Sequence, residues 1–100
     1  GELGEDPEGE RLIVAALLKV TIVSAAQSIW TGEAQQVSAR TVEGEIGILA
    51  GHEPVLAILA PGQVRVTTAD GQQIVAQADD GFLSVESNTV TVVSRVAELV

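Results

Sequence analysis

An all-β fold, a β-sandwich or barrel, is what this sequence predicts, and three observations predict it. The chain is 46% hydrophobic over 100 residues, yet it has one Trp, one Phe and no Tyr, Met or Cys. Its core must therefore be built from Val, Ile, Leu and Ala, and β-branched side chains fit a pleated sheet better than a helix. Turn signals recur about every eight to twelve residues between alternating segments, the spacing of a sandwich or barrel. No stretch after Leu18 has a convincing helical period. A chain of this length is one domain. Two facing layers of small branched side chains, about 10 Å apart, would fill such a core.

The elements follow in order. Residues 1–11 hold Glu2, Glu5, Asp6, Glu8 and Glu10 among glycines and read as a tail or linker. The alternative is a short helix capped by Asp6 with Pro7 at its first position, which Gly9 weakens. "LIVAALL" at Leu12 to Leu18 is the longest apolar run. It is too short to span a bilayer, and its acidic flank is unlike a secretory leader. "LKVTIVS" alternates, with Leu18, Val20 and Ile22 on one face. "IWTG" at Ile29 to Gly32 reads as a short element ending in a turn. "EAQQVSART" at Glu33 to Thr41 reads as a strand whose imperfect alternation suggests a bulge.

Val42 to Glu45 reads as a turn, Ile46 to Leu49 as a short strand in which Gly47 marks a close backbone approach, and Ala50 to Glu53 as a second turn. "PVLAILAPG" is extended and ends at Pro61-Gly62. "QVRVTT" and "QIVAQADD" flank Asp70-Gly71, the strongest hairpin signal in the chain. "GFLSVES" and "TVTVVSRV" form a last hairpin around Ser87-Asn88. The final "SRVAELV" could begin a helix.

Composition excludes several function classes. The net charge of −9 argues against a nucleic-acid phosphate surface and against charge-driven binding to acidic lipid. Absence of cysteine excludes disulfides and thiolate metal sites. The chemically richest stretch is "EGEIGILAGHEP" at Glu43 to Pro54, with the only histidine of the chain. A general base needs a nucleophile or substrate proton in reach. Ser24, Ser28, Ser38, Ser84 and Ser94 exist, but none lies in a nucleophile-elbow motif. Glu53 adjoins His52, and neighbours in an extended segment point to opposite sides. One His and carboxylates make a poor zinc set, and no calcium-loop pattern is present. Asp79-Asp80 reads as a solvated strand end. "GEIG" lacks the strand-to-helix turn and lysine of a phosphate loop. Arg40, Arg65 and Arg95 are scattered and not interleaved with aromatics. Trp30 reads as a plug at the sandwich edge. The residues alone thus describe an acidic β-sandwich without a catalytic constellation, a binding or structural module with no cofactor and no metal.

The order of four motifs adds to this. "SIWTG" at Ser28 to Gly32, "EGEIGIL" at Glu43 to Leu49, "GHEP" at Gly51 to Pro54 and "GFLSV" at Gly81 to Val85 together resemble the N-terminal domain of the ATP synthase epsilon subunit, called delta in mitochondria. The resemblance covers Leu18 to Ser94, and "SIWTGEA" with the following "ART" is most similar to actinobacterial members. It implies a flattened antiparallel β-sandwich of about ten short strands. It implies a non-catalytic place at the foot of the central stalk, between the gamma subunit and the c-ring, coupling rotation to ATP synthesis. The complex is peripheral at the cytoplasmic face of the bacterial plasma membrane, with no direct insertion of this domain. Residue by residue, Glu43, Gly44 and Glu45 match the c-ring-facing loop, and Ser24 and His52 match positions near the gamma subunit.

Three departures stand out. Leu49-Ala50-Gly51-His52 lacks the proline that typical members have before the Gly-His pair. Asp80-Gly81 replaces a pair of glycines. The family's C-terminal helix pair would start where the chain ends at Val100, so the ATP sensing and rotary inhibition carried by those helices are not assigned. Residues 1–17 have no family counterpart and are expected to be a leader or linker, native or artificial, with 18–100 as the domain. The competing reading is a carbohydrate-type ligand module. It would need exposed aromatics, and only Trp30 and Phe82 are available, one or both expected to be buried.

Overall fold

The computed structural model describes residues 17–100. The expected leader therefore lies, but for its last residue, outside the described residues, as does most of the apolar run before Leu18. Among the described residues there are seven strands and no helix: β1 (Leu18–Ser24), β2 (Ser28–Thr41), β3 (Gly44–Leu49), β4 (Val55–Ile58), β5 (Gly62–Thr68), β6 (Gln73–Glu86) and β7 (Thr89–Leu99). Every pair is antiparallel except β1 with β7, which is parallel.

The long strands explain how seven elements make the expected ten segments. β2, β6 and β7 each run through both layers of the sandwich. One layer has the order β3-β2-β5-β6-β7 and uses the C-terminal half of β2, the N-terminal half of β6 and the C-terminal end of β7. The second has the order β4-β6-β7-β1-β2 and uses their other halves. Between the layers lies one core. Val37, Ala39, Ile48, Val64, Val66, Ala76 and Ala78 come from the first layer. Leu18, Val20, Ile22, Ala34, Leu83, Val85, Val90 and Val92 come from the second. Alternation supplies these residues: Leu18, Val20 and Ile22 are buried while Lys19 faces water.

A strand that passes from one layer to the other must bend, and in β2 a bulge supplies the bend. In β2 the register slips between Ala34 and Gln36, so the buried positions run Ala34, then Val37 and Ala39. In β6 the inward-outward alternation changes phase at Asp80, whose φ is 62°, while the register with β7 is the same on either side. The buried positions run Ala76 and Ala78, then Leu83 and Val85. In β7 the paired residues pass from Ser94 to Val96, leaving Arg95 opposite Asp80. Arg95 Nε meets Asp80 Oδ2 at 2.7 Å on the outside of this corner. "IWTG" and "EAQQVSART" are therefore one strand, and so are "QIVAQADD" and "GFLSVES". Asp79-Asp80 lies at a corner within a strand, not at a strand end. Val96–Leu99 continues β7 rather than starting a helix, because it pairs with Ala76–Asp79, and Val100 N–H donates to Val75 O at 2.9 Å.

Both expected hairpins are present. At β5–β6 Gly71 takes φ 90°, and its N–H donates to Thr68 O at 3.0 Å. The Thr68 hydroxyl donates to the Asp70 carboxylate and accepts the Gln72 N–H. The Thr68 hydroxyl foremost, and the Gln72 backbone N–H after it, hold the Asp70 carboxyl below its ordinary value. At β6–β7 Ser87 and Asn88 both have positive φ, 50° and 59°, as a two-residue hairpin turn with native strand twist requires.

Trp30 is half-buried against the core, as expected of an edge plug. The reason for its glycine neighbour is spatial. Its indole lies over Gly32, where a Cβ would come within 2.7 Å of Trp30 Cζ2. Gly32→Ala is thus expected to push the ring outward. Acrylamide should then quench Trp30 fluorescence more strongly in the variant; unchanged quenching would show that the ring does not rest on Gly32. Gly47, in contrast, has nothing within 4 Å of where its Cβ would be, so the expected close approach does not occur there.

Candidate functional site

The stretch Glu43 to Pro54 forms two turns held apart by a strand. The first is shorter than expected. Only Val42 and Glu43 turn, and Gly44 and Glu45 already belong to β3. Thr41, 8% exposed, builds this turn. Its hydroxyl donates to Gly44 O at 2.7 Å and accepts the Glu43 N–H at 3.1 Å. Gly44 takes φ 121°, a backbone that side chains rarely adopt. Glu45 stands opposite Arg40 on β2. Both carboxylates reach solvent at this end of the first layer.

The second turn carries His52. Gly51 takes φ 89°, a backbone that side chains rarely adopt. The His52 N–H donates to Leu49 O at 3.1 Å, and Nδ1 lies 2.8 Å from Glu53 O. The Gly51 N–H donates to Asn88 Oδ1 at 2.7 Å, which fastens this turn to the β6–β7 turn. Asn88 O in turn accepts the Lys19 N–H at 2.8 Å, near the start of β1. Ser24 is at the other end of β1. Its hydroxyl accepts the N–H of Ala26 and of Gln27 at 3.3 and 3.2 Å, closing the β1–β2 turn.

Three separate places result. A six-residue strand, roughly 20 Å at about 3.3 Å per residue, separates Glu43 from the His52 turn, with Glu45 near its start. The length of β1 separates His52 from Ser24. Ser24, His52 and the carboxylates do not converge, so they form no common chemical centre. Among the described residues no group of three or more His, Asp or Glu side chains is placed to hold a metal ion. Each is a candidate contact on a rigid frame.

Two features were not anticipated from sequence. Cross-strand register aligns Ile58, Phe82, Val93 and Val23 in one row over β4, β6, β7 and β1 on the outer face of the second layer. Leu56, 68% exposed, and Ile58, 55% exposed, crown this row at its β4 edge. The outward alternation of "VLAI" was the available signal, hidden because a continuous apolar run reads as fully buried. The second feature is a polar pocket on the other layer, lined by Ser38, Arg40, Glu45, Gly62, Gln63 and Arg65. Arg40 and Arg65, distant in sequence, meet there because Ser38 pairs with Arg65 across β2 and β5. The aromatics of the carbohydrate reading fare otherwise. Trp30 packs inward beside Ile22, whereas Phe82 is in the outward row, so no shared stacking platform exists.

Comparison with known proteins agrees with this frame. Residues 17–100 match the family described as ATP synthase, Delta/Epsilon chain, beta-sandwich domain. An ATP synthase epsilon chain of Micrococcus luteus is 54% identical over 84 residues, spanning 84% of this chain and 92% of that one. One from Rhodococcus jostii is 48% identical over 85 residues, with 84% and 70% covered. A chain of the Euglena gracilis mitochondrial ATP synthase, solved as OSCP/F1/c-ring, superposes with TM-score 0.79 at 29% identity, covering 84% of this chain and 54% of that one. A Tetrahymena thermophila central stalk/c-ring chain has TM-score 0.67 at 16% identity over 80% of this chain and 64% of its own, a likeness of fold. The chain therefore belongs to the ATP synthase delta/epsilon family, as its β-sandwich domain, with actinobacterial epsilon chains among its relatives.

Proposed function

We propose that this domain is a non-catalytic part of the central stalk of a proton-translocating ATP synthase, linking the gamma subunit to the c-ring. The observation that carries it is the match of the whole sandwich, at 54% identity, to an epsilon chain. The fold suits the task. Both layers share three continuous strands, so a load on one layer passes through covalent backbone into the other. A close-packed interior of low compressibility then transmits it. Glu43, Gly44 and Glu45 are assigned to the ring-facing end, where carboxylates fix register against polar or basic loops. Ser24 and His52 are assigned to the gamma side. Their separation fits contacts spread along a stalk. The complex would hold the domain peripherally at the cytoplasmic face of the membrane; among the described residues no helix is long and apolar enough to cross one.

The test is binding of the 100-residue chain to the cognate gamma subunit and c-ring. Retention by neither would overturn the assignment. Glu43→Lys combined with Glu45→Gln is expected to weaken ring binding several-fold, most at low salt, because exposed charges are screened beyond about 10 Å at 0.1 M ionic strength. Gln is chosen at 45 because a lysine opposite Arg40 would create a like-charge cross-strand pair. Stability should stay within about 0.5 kcal/mol, the range of surface changes. A larger loss in urea unfolding would make these carboxylates structural instead.

A further inference from the structure

The chain carries a net charge of −9, yet two of its five Lys and Arg residues line one pocket. Arg40 reaches it from β2. Its aliphatic stem lies along Gly62, where a Cβ would come within 3.2 Å of Arg40 Cδ and 3.3 Å of Arg40 Cβ. Arg65 reaches it from β5. Its Nε and Nη2 donate to Gln63 Oε1 at 3.3 and 3.0 Å, which orients the guanidinium and leaves its other N–H groups for a further acceptor. Ser38 adds a hydroxyl. Glu45 lines the same pocket, but the one ion pair among the described residues is Arg95–Asp80. No described carboxylate therefore neutralises either arginine at contact distance. The pocket holds about 230 Å³, below the range of cofactor and drug-sized sites, and it is open to solvent. Two arginines lining one small polar space bring to it the N–H donors that recognise a phosphate or carboxylate.

We propose that Arg40 and Arg65, with Ser38 and Gln63, form a binding site for one small oxyanion on the outer face of the β3-β2-β5 layer. The site adjoins the ring-facing turn assigned above through Glu45, which is its antagonist, a negative charge that weakens the anion's hold. Its occupant is either free inorganic phosphate or the carboxylate of a neighbouring chain. The shared chemistry is an oxyanion held by two arginines.

The experiment titrates the ¹⁵N-labelled chain with inorganic phosphate, and separately with acetate, while following the Arg Nε–H signals and the backbone amides. The expected result is a saturable shift confined to Ser38, Arg40, Gly62, Gln63 and Arg65. It should be lost in Arg40→Gln and in Arg65→Gln. Glu45→Gln should tighten binding about threefold, as removal of one charge a few ångströms away in a solvated pocket predicts. Saturation by phosphate alone identifies the free ion as occupant; saturation by both identifies the carboxylate class. No saturable shift with either anion, or a shift that survives both arginine substitutions, overturns the proposal. Ring and gamma binding by Arg40→Gln and Arg65→Gln, which leave Glu43 and Glu45 in place, reads out the stalk assignment separately.

Discussion

Replacing Gly81 with alanine is expected to lower the free energy of unfolding by about 3 kcal/mol or more, the upper end of what overpacking costs. For a domain of this size that is a fall of roughly 10–20 °C in Tm. The cause is space, not backbone freedom. A Cβ at Gly81 would sit 1.9 Å from Val93 O, 2.6 Å from Ser94 Cα and 2.8 Å from Val93 C. These are backbone atoms of β7, and no rotamer change can move them. Nor can β7 recede, because its other edge is paired with β1, Val93 against Val23 and Ser94 against Ser24. Gly81 O also accepts the Leu59 N–H at 2.9 Å, so β6 is held from the β4 side as well. Relief therefore requires opening the β6–β7 corner, where both strands pass from one layer to the other. Gly47→Ala is the internal comparison. It too is a glycine within a strand, but with open space around its Cβ, and its effect should stay within about 0.5 kcal/mol. Urea unfolding of both variants decides the matter: equal, small effects would refute the packing account.

The same corner shows why part of the fold was legible and part was not. Inside and outside positions of β1, β5 and the two hairpins follow from alternation and from local turn chemistry at Gly71 and Ser87-Asn88, both short-range signals. The corner is also encoded locally, but ambiguously. Asp79-Asp80-Gly81 has the composition of a turn, and a strand broken by a turn looks the same as a strand bent at a corner. Only the register, Asp79 to Val96 and Gly81 to Ser94, tells them apart. The site divides in the same way. The positions of Glu43, Gly44, Glu45, Ser24 and His52 came from motif resemblance, because nothing in their spacing distinguishes a contact surface from a solvated turn. The Arg40–Arg65 pocket depends on non-local pairing of β2 with β5, and the outer row from Ile58 to Val23 on pairing among four strands. Periodicity reports which face a residue takes, not which residues of other strands share it.

Ser94→Ala is expected to cost about 2 kcal/mol, and to do so at one end of β7 first. Ser94 is 1% exposed and is one of two polar residues buried among those described. Its hydroxyl accepts the Asp79 N–H at 3.0 Å, and its single proton faces Asp79 O at 2.5 Å and Val96 O at 2.6 Å. Asp80 and Arg95 drop out of the ladder between the Asp79–Val96 and Gly81–Ser94 pairs, and the hydroxyl ties together backbone groups on either side of that gap. Alanine keeps the shape and removes the partner, so the Asp79 amide loses its acceptor, a loss of about 1–3 kcal/mol. The two halves of β7 should respond differently. Thr89–Val93 is paired on both edges, with β6 and with β1, whereas Val96–Leu99 is paired with β6 alone. Amide exchange in Ser94→Ala should therefore accelerate most at Asp79 and along Val96–Leu99, while Val90 and Val92 keep the protection of global unfolding. A uniform rise across β7 would mean that the hydroxyl stabilises the domain as a whole. No rise would mean that solvent replaces it at no cost. A local rise would make Ser94 the bond that holds the corner, and the load transfer proposed for this domain would need stiffness where its strands cross over.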